Sequence, residues 1–283
     1  VGQSAAHSRR ATVRSVMLSE RMESLADPRL DVYRSLKSTN ATRDAQLFIA
    51  EGPTVVERVL RSDFRVRSVV ISDRKFAAFE PRLPADVPVY RLTQVQAEEL
   101  VGFAFHCGVM ACAERRPPQP LETWLPAAGP ALLVAGDRVT DPENVGALIR
   151  IGAAFGAAGI VLGEGSADPF SRRVLRVSMG NGLFLPIVET GDLAGLLAKL
   201  QQQYAMDICL TVLDATARPL HQHHFAARTT LVFGNEYDGI SEAVRRVSDS
   251  RLTIPMFNGT DSLNVAVSAG IFLHQYRSTP ADA

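Results

Sequence analysis

Three polar turns in the second half of the chain carry the side chains that could do chemistry. Their sequences are GDRVTDPENVG at 136–146, FGNEYDGIS at 233–241 and PMFNGTDSLN at 255–264. Each turn follows an apolar run that is typical of a buried strand. Because ligands bind beyond the carboxyl ends of parallel strands, the three turns are expected to meet. The sequence therefore predicts a binding site at this edge of a sheet.

Arg150 is a further candidate, six residues after Asn144 in the same helical pattern. An isolated arginine on a helix is usually a salt-bridged surface residue. Here, however, the helical neighbours at three and four residues are all small, which lets another backbone approach closely. These neighbours are Gly146, Ala147, Ala153 and Ala154. The small neighbours therefore allow Arg150 to contact a substrate or another chain.

The last helical pattern, from Ser262 to about Arg277, is apolar nearly all round. Such a helix is expected to be buried, within the chain or between two subunits. Ser262 is well placed as its N-cap. The free amides of the first turn would then form a donor-rich spot in an apolar wall.

Two other kinds of site are not predicted. No G-x-G-x-x-G follows the first strand of the second half, and G-x-x-x-x-G-K-[ST] is absent, so a nucleotide-dependent oxidoreductase is a weak hypothesis. His221, His223 and His224 lack Cys or Asp partners at zinc spacing. They are interpreted as surface residues, and no metal is expected.

Length and composition indicate a soluble globular protein of two domains. The chain has 283 residues, of which 46% are apolar, and its formal net charge is +0. No apolar run reaches the ~18 residues that span a bilayer. Three cysteines in a long chain indicate reduced thiols and a cytoplasmic protein.

A proline-rich stretch, ERRPPQPLETWLPAAGP, marks the predicted domain boundary. The expected organisation is a basic flexible tail at 1–22, a small α/β sandwich domain at 23–113, a linker at 114–130 and a second domain at 131–283. In that second domain, nearly continuous apolar strands alternate with helices. This pattern predicts a doubly wound α/β fold with a parallel sheet covered on both faces.

Three stretches of the second domain resemble the three motifs of the SpoU (TrmH-like) RNA 2′-O-ribose methyltransferases, which belong to the SPOUT class. They are ENVGALIRIGAAFGAAGIVL, LVFGNEYDGIS and IPMFNGTDSLNVAVSAGIF, and the resemblance spans 131–277. The earlier half, around DPRLDVYRSL and EGPTVVERVL, resembles the RNA-binding substrate domain of rRNA-directed members. Asp27 stands where those relatives often have Asn, a departure that concerns the substrate rather than the class.

The resemblance implies a deep trefoil knot in the C-terminal domain, with S-adenosylmethionine enclosed by the knot loops. By motif position, the residues that would contact this cofactor are Gly234, Ile254, Met256, Leu263 and Asn264. The residues that would carry catalysis are Arg150, Asn144, Glu236, Ser262 and Asn264.

Within this resemblance, Arg150 would hold the ribose 2′-oxygen and stabilise charge that develops on it. A role as general base is disfavoured, because deprotonating a guanidinium near neutral pH costs about 7 kcal/mol. Glu236 would orient neighbouring backbone or the arginine of a partner subunit.

Four arginines are predicted to contact RNA phosphates, namely Arg43, Arg172, Arg173 and Arg176. The last three lie three and four residues apart on one helical face, for which a solvated surface is the alternative interpretation. The resemblance further implies a homodimer that methylates rRNA. A tRNA 2′-O-methyltransferase and a non-catalytic RNA-binding ribosome-assembly factor are the alternatives.

Overall fold

The computed structural model describes residues 18–34, 36, 41–214 and 216–278. Its regular elements build two sheets, one in each half of the chain. The first half contains β1 Ser19–Arg21, α1 Ala41–Asp44, β2 Leu47–Glu51, α2 Pro53–Arg61, β3 Val66–Ser72, α3 Asp73–Phe79, β4 Val89–Leu92, α4 Gln94–Val101 and β5 Val109–Glu114.

The second half contains β6 Ala131–Gly136, α5 Pro142–Ala154, β7 Gly159–Gly163, α6 Arg172–Val177, β8 Ile187–Thr190, α7 Leu193–Tyr204, β9 Asp207–Thr211, β10 Arg218–Pro219, β11 Arg228–Phe233, α8 Glu242–Arg246, β12 Ser250–Thr253 and α9 Val265–Ser278. Within the described ranges, no helix is long and apolar enough to cross a bilayer.

The first sheet has the strand order β1-β4-β3-β5-β2. Its central strand pairs parallel with β4 and antiparallel with β5, so the sheet is mixed. Apolar clusters cover both faces of this sheet. Two-sided burial explains why LFIA in β2 and VVI in β3 are unbroken apolar runs in the sequence.

The boundary of the predicted flexible tail at 1–22 needs correction. Residues 1–17 lie outside the described part of the chain, but Ser19–Arg21 forms a strand that pairs parallel with β4. All three of its residues are exposed, and the strand is held by backbone hydrogen bonds such as Val89 N to Leu18 O at 2.9 Å. Because it buries no apolar side chain, it left no pattern to recognise.

The second sheet confirms the predicted parallel α/β fold. Its seven strands follow the order β10-β12-β9-β11-β6-β7-β8, and every neighbouring pair is parallel. One face packs against α5 and α9, and the other packs against α7 and α8. The central strands are therefore covered on both sides, which keeps their carboxyl ends as the accessible edge.

The segment predicted as a linker, 114–130, lies against the second sheet. Leu121 and Leu125 are buried in the cluster that also contains β6 and α7. Trp124 packs so closely on Gly159 that an added Cβ there would lie 2.5 Å from the indole ring. The segment therefore packs on the second domain through these three side chains.

Polar contacts join the two halves. Arg115, at the end of the first sheet, donates from Nη1 to Asp168 Oδ1 at 2.9 Å, and both side chains are largely buried. Arg58 in α2 donates to the carbonyl of Met179 at 2.6 Å. Buried charge-assisted hydrogen bonds of this kind fix the relative position of the elements they join.

Candidate functional site

A cavity of about 570 Å³ lies at the carboxyl ends of β9, β11 and β12. These strands lie on one side of β6, and the chain that follows each of them contributes to the cavity wall. Four of the five residues predicted to contact a cofactor line it: Gly234, Ile254, Met256 and Leu263. Two of the predicted catalytic residues, Glu236 and Ser262, also line it. The second and third polar turns therefore meet, as the sequence predicted.

Gly234 is required by close packing of two backbone segments. A Cβ at this position would lie 2.5 Å from the carbonyl carbon of Gly239 and 2.6 Å from the amide nitrogen of Ile240. Since the contacting atoms are backbone, they cannot move aside as a flexible side chain could. The turn after β11 therefore closes back on its own strand only with glycine at 234.

One part of the cavity wall was missed by sequence reasoning. Residues 211–214, at the end of β9, line the cavity and include Asp214. Hydrogen bonds from the backbone and side chain of Thr216 lower the pKa of Asp214. The signal in the sequence was the apolar run of β9 ending in an acidic residue. The wall thus presents carboxylates of Asp214 and Glu236 beside apolar side chains.

A chain of hydrogen bonds links three of the predicted catalytic residues. Asn144, in the first turn of α5, donates from Nδ2 to Glu236 Oε1 at 2.7 Å. Its Oδ1 accepts from Nδ2 of Asn264 at 3.0 Å. Asn144 is only 4% exposed, so its amide is held from both sides in one orientation. The three predicted motifs are thereby joined through side chains.

Glu236 also accepts hydrogen bonds from the chain just before α5. Its Oε2 accepts from Thr140 Oγ1 at 3.2 Å, and its Oε1 accepts from the Asp141 amide at 3.3 Å. Partial burial raises the pKa of this carboxyl, but the hydrogen bonds from Asn144 and the backbone together outweigh burial and lower it. Glu236 is therefore an acceptor that holds the backbone before α5 and the Asn144 side chain.

The predicted N-cap of the last helix was wrong. The helix starts at Val265, and Asn264 is the residue that caps it, because its Oδ1 accepts from the Ala266 amide at 2.8 Å. Asn264 thus uses its oxygen for the helix and its Nδ2 for Asn144. Ser262 lies two residues earlier and is left on the cavity wall with an exposed side chain.

Arg150 lies on α5 with an exposed side chain, and no hydrogen bond or ion pair joins it to another described residue. The expectation of an open surface around it holds only in part. Gly146 is buried against α6, where an added Cβ would lie 2.7 Å from Val177. Ala154 remains exposed and Ala153 is half-buried. Since none of the described residues supplies a counter-ion, this guanidinium can bind an anionic or polar oxygen.

The arginines predicted to contact RNA all have acidic partners in this structure. Arg172 and Arg176 donate to Glu51 at 3.0 and 3.3 Å, and Glu51 is 5% exposed. Arg173 pairs with Glu143 on the surface, and Arg43 pairs with Glu189 at 3.2 Å. Two of the four arginines therefore hold the first sheet to α6.

The interpretation of the three histidines as surface residues was wrong for one of them. His223 is 6% exposed, and its Nε2 lies 3.8 Å from Sγ of Cys209. Asp207 completes a group whose ligand atoms lie within 4.8 Å of one another. Burial lowers the pKa of His223 and raises that of the Cys209 thiol. The cavity described above does not include this group.

Comparison with known proteins agrees with the motifs. Residues 131–274 match the model of the SpoU rRNA Methylase family. An uncharacterized tRNA/rRNA methyltransferase of Mycobacterium tuberculosis is 34% identical over 261 residues, which cover 88% of each chain. The Bacillus subtilis 23S rRNA (guanosine(2553)-2′-O)-methyltransferase RlmP is 29% identical over 265 residues, or 91% of this chain and 99% of that one.

A solved structure extends the likeness to the fold of both halves. The AdoMet-bound rRNA methyltransferase from Sinorhizobium meliloti superposes with a TM-score of 0.77 and 25% sequence identity. The superposition covers 92% of this chain and 98% of that one. The two-sheet arrangement is therefore shared along nearly the full length of both proteins.

Proposed function

This chain belongs to the SpoU rRNA methylase family, and we propose that it transfers a methyl group from S-adenosylmethionine to a ribose 2′-hydroxyl of ribosomal RNA. The observation that carries the proposal is the hydrogen-bonded chain Asn264–Asn144–Glu236 at the cavity. These hydrogen bonds bring together one residue from each family motif. They lie beside the cavity of about 570 Å³, which is large enough for a small cofactor.

The chemistry of the cavity fits S-adenosylmethionine. Ile254, Met256 and Leu263 offer an apolar wall for the body of the molecule, and backbone at the strand ends offers hydrogen bonds to an adenine. The carboxylates of Asp214 and Glu236 offer acceptors and negative charge for a cationic ligand. When bound, the cofactor supplies a methyl group activated by its positive sulfur.

The protein's own side chains would position the ribose and stabilise the charge of its oxygen. On transfer of the methyl group, the 2′-oxygen would lose its proton to solvent, and the protein's side chains would stabilise the charge that develops on this oxygen. Arg150 would hold that oxygen through its guanidinium, which stays charged at neutral pH. Asn144 and Glu236 would hold the motif loops in their relative positions, since each side chain is fixed by hydrogen bonds.

A homodimer is part of the proposal. Val267 is 51% exposed and Ile271 is 39% exposed, and both lie on the outward side of α9. These side chains lie four residues apart and thus form one apolar stripe along the helix. A second copy that covers this stripe would bury the outward side of α9. This would complete the burial that the apolar sequence of the helix predicts. The trefoil knot of the family remains a prediction for this chain.

Ribosomal RNA is the proposed substrate because the RlmP relative is named for 23S rRNA and matches 91% of this chain. A cytoplasmic location follows from that substrate. Of the predicted phosphate contacts, Arg43 and Arg173 are the more readily available, because both members of each ion pair, with Glu189 and Glu143 respectively, are exposed.

The experiment that tests the proposed function is a map of ribose methylation in the rRNA and tRNA of cells with and without the gene. We expect one or a few 2′-O-methyl positions in rRNA to disappear. Loss of a tRNA position instead would assign the enzyme to tRNA. Unchanged methylation in both RNAs, together with no binding of S-adenosylmethionine by calorimetry, would contradict the proposal.

A further inference from the structure

Two aromatic side chains stand out on the loops that build the cavity. Tyr237 is 93% exposed and Phe257 is 77% exposed, which makes them the most exposed large hydrophobic side chains in the described residues. Tyr237 directly follows Glu236, and Phe257 directly follows Met256. Exposed apolar surface beside a functional cavity is a place where a ligand or a macromolecular partner can bind.

The turn that carries Tyr237 is held in shape by its own hydrogen bonds. Oδ1 of Asn235 accepts from the amides of Tyr237 and Asp238 at 2.9 and 3.0 Å. The backbones of Asn235 and Gly239 exchange two further hydrogen bonds. The backbone around Tyr237 is thereby fixed, and it presents the ring to solvent rather than to the core.

Phe257 lies at the first position of a second tight turn. Asn258 and Gly259 both have positive φ angles, of 56° and 71°, and the Thr260 amide donates to the Phe257 carbonyl at 3.1 Å. An Asn-Gly pair with two positive φ angles is the preferred sequence for such a turn. This ring is therefore also held out from a preformed backbone.

We propose that Tyr237 and Phe257 stack on bases of the RNA beside the methylated ribose, so that the enzyme acts on an unpaired strand and not on an RNA duplex. This inference rests on the proposed function. Sequence-specific RNA recognition relies on splayed bases stacked on aromatic side chains, and bases inside a duplex have no free faces. Stacking by itself selects unpaired bases and does not distinguish one base from another, because every base has a π-face.

The charge beside the turn favours an RNA strand as the occupant. Arg138 lies under the Tyr237 turn, where its carbonyl accepts from Nδ2 of Asn235 at 2.8 Å. The Arg138 side chain is 41% exposed, and its guanidinium lies 3.6 Å from Asp238 and 3.8 Å from Asp137. A half-exposed cation beside the Tyr237 turn can contact a phosphate while the exposed ring stacks on the base of the same strand.

The test compares RNA binding by the full-length protein and its Tyr237→Ala and Phe257→Ala variants, using fluorescence anisotropy. The probe is a labelled single-stranded RNA of about 12 nucleotides, a length within the usual site sizes. A blunt duplex of the same sequence serves for comparison. Each substitution should weaken single-strand binding on the order of ten-fold, as expected for loss of one stacked base.

Matched controls separate stacking from other effects. Tyr237→Phe and Phe257→Tyr keep an aromatic ring and should retain binding, and Val95→Ala, which removes a 74% exposed side chain on α4, should change nothing. Equal binding of the single strand by all variants would overturn the inference. The inference would also be overturned if an alanine variant lost RNA binding because its dimer dissociated, since the ring would then contact a second copy. The same holds if the variant bound S-adenosylmethionine more weakly in calorimetry, since the ring would then contact the cofactor.

Failure of this inference differs from failure of the proposed function. Methyl transfer from S-adenosylmethionine to rRNA by the unaltered protein is measured first, in parallel with the binding experiment. Transfer that proceeds equally well in both alanine variants would remove the stacking role and leave the methyltransferase intact. A complete absence of transfer in the unaltered protein would contradict the proposed function itself.

Discussion

Asn144 and Glu236 are joined by a 2.7 Å hydrogen bond across 92 positions of the sequence. The bond connects the first turn of α5 to the loop after β11, and its acceptor also holds the backbone at Thr140 and Asp141. One carboxylate thus determines how the start of a helix sits against a cavity wall. Substitutions at these two residues therefore test the geometry of the site directly.

Replacing Asn144 by aspartate should destabilise the fold and disrupt the site. The new carboxylate would face Glu236 without a donor between them, in a position that is 4% exposed. A buried polar group that loses its partner costs about 1–3 kcal/mol. Urea denaturation monitored by circular dichroism measures the loss. Gln203→Glu, the same change of group at an exposed site, serves as the control; equal stability of the two variants would be inconsistent with the hydrogen-bonded role.

Gly234→Ala should abolish binding of S-adenosylmethionine and lower stability. Its Cβ would lie 2.5 Å from backbone atoms of Gly239, so the turn must open. Gly191→Ala is the matched control, because a Cβ there meets nothing within 4 Å. Calorimetric titration with the cofactor compares the two. If Gly234→Ala binds as tightly as Gly191→Ala, the turn is not part of the cofactor site.

Acid should weaken the site through Glu236. Hydrogen bonds lower its pKa in the folded state below the ordinary value of 4.5, despite partial burial. The folded state therefore binds fewer protons than the unfolded state, and the stability this carboxylate contributes is present above that value. It is lost as the pH falls through the lower folded pKa.

The measurement is the free energy of unfolding from about pH 7 to about pH 3 for the unaltered protein and Glu236→Gln. The difference between them should shrink as the pH falls from 4.5 through the lower folded pKa, below which the Glu236 carboxyl is neutral like the amide of the Glu236→Gln variant. Glu164→Gln, at an exposed position with no ion pair to a described residue, should run parallel to the unaltered protein. A constant difference for Glu236→Gln would argue against the lowered pKa.

Arg172 and Arg173 should behave differently when replaced by alanine. Arg172 is partly buried against Glu51, so its loss leaves a buried carboxylate with fewer donors and should cost stability. Arg173 has an exposed ion pair and should cost little. If Arg173 contacts a phosphate, its loss should reduce the slope of log affinity against log salt by about 0.7 for single-stranded RNA. An unchanged slope would remove Arg173 from the RNA surface.

The motif loops could be predicted from the sequence because their chemistry is local. Gly234, Met256 and Leu263 follow apolar strands, and the structure places all three on one cavity wall. The parallel order of the second sheet was also predictable, because strands buried on both faces are apolar throughout.

Other features depend on contacts that no local pattern records. Glu51 meets Arg172 across 121 positions, so the arginine helix read as a free basic surface. His223 lies in a polar run yet is buried against Cys209, because the chain after β10 turns back onto the sheet. The N-cap at Asn264 was missed because serine and asparagine are equally good capping residues. Only the geometry of the loop shows that the helix starts after Asn264 and not after Ser262.

Methyl transfer with labelled S-adenosylmethionine to rRNA from cells lacking the gene, followed by alkaline hydrolysis, tests the central claim most directly. A 2′-O-methyl group blocks cleavage of the neighbouring phosphodiester, so the label should appear in alkali-resistant dinucleotides. Arg150→Ala should yield none while still binding the cofactor, and Arg74→Ala, another exposed helical arginine, should match the unaltered protein. Label found only in mononucleotides, or undiminished transfer by Arg150→Ala, would contradict the account.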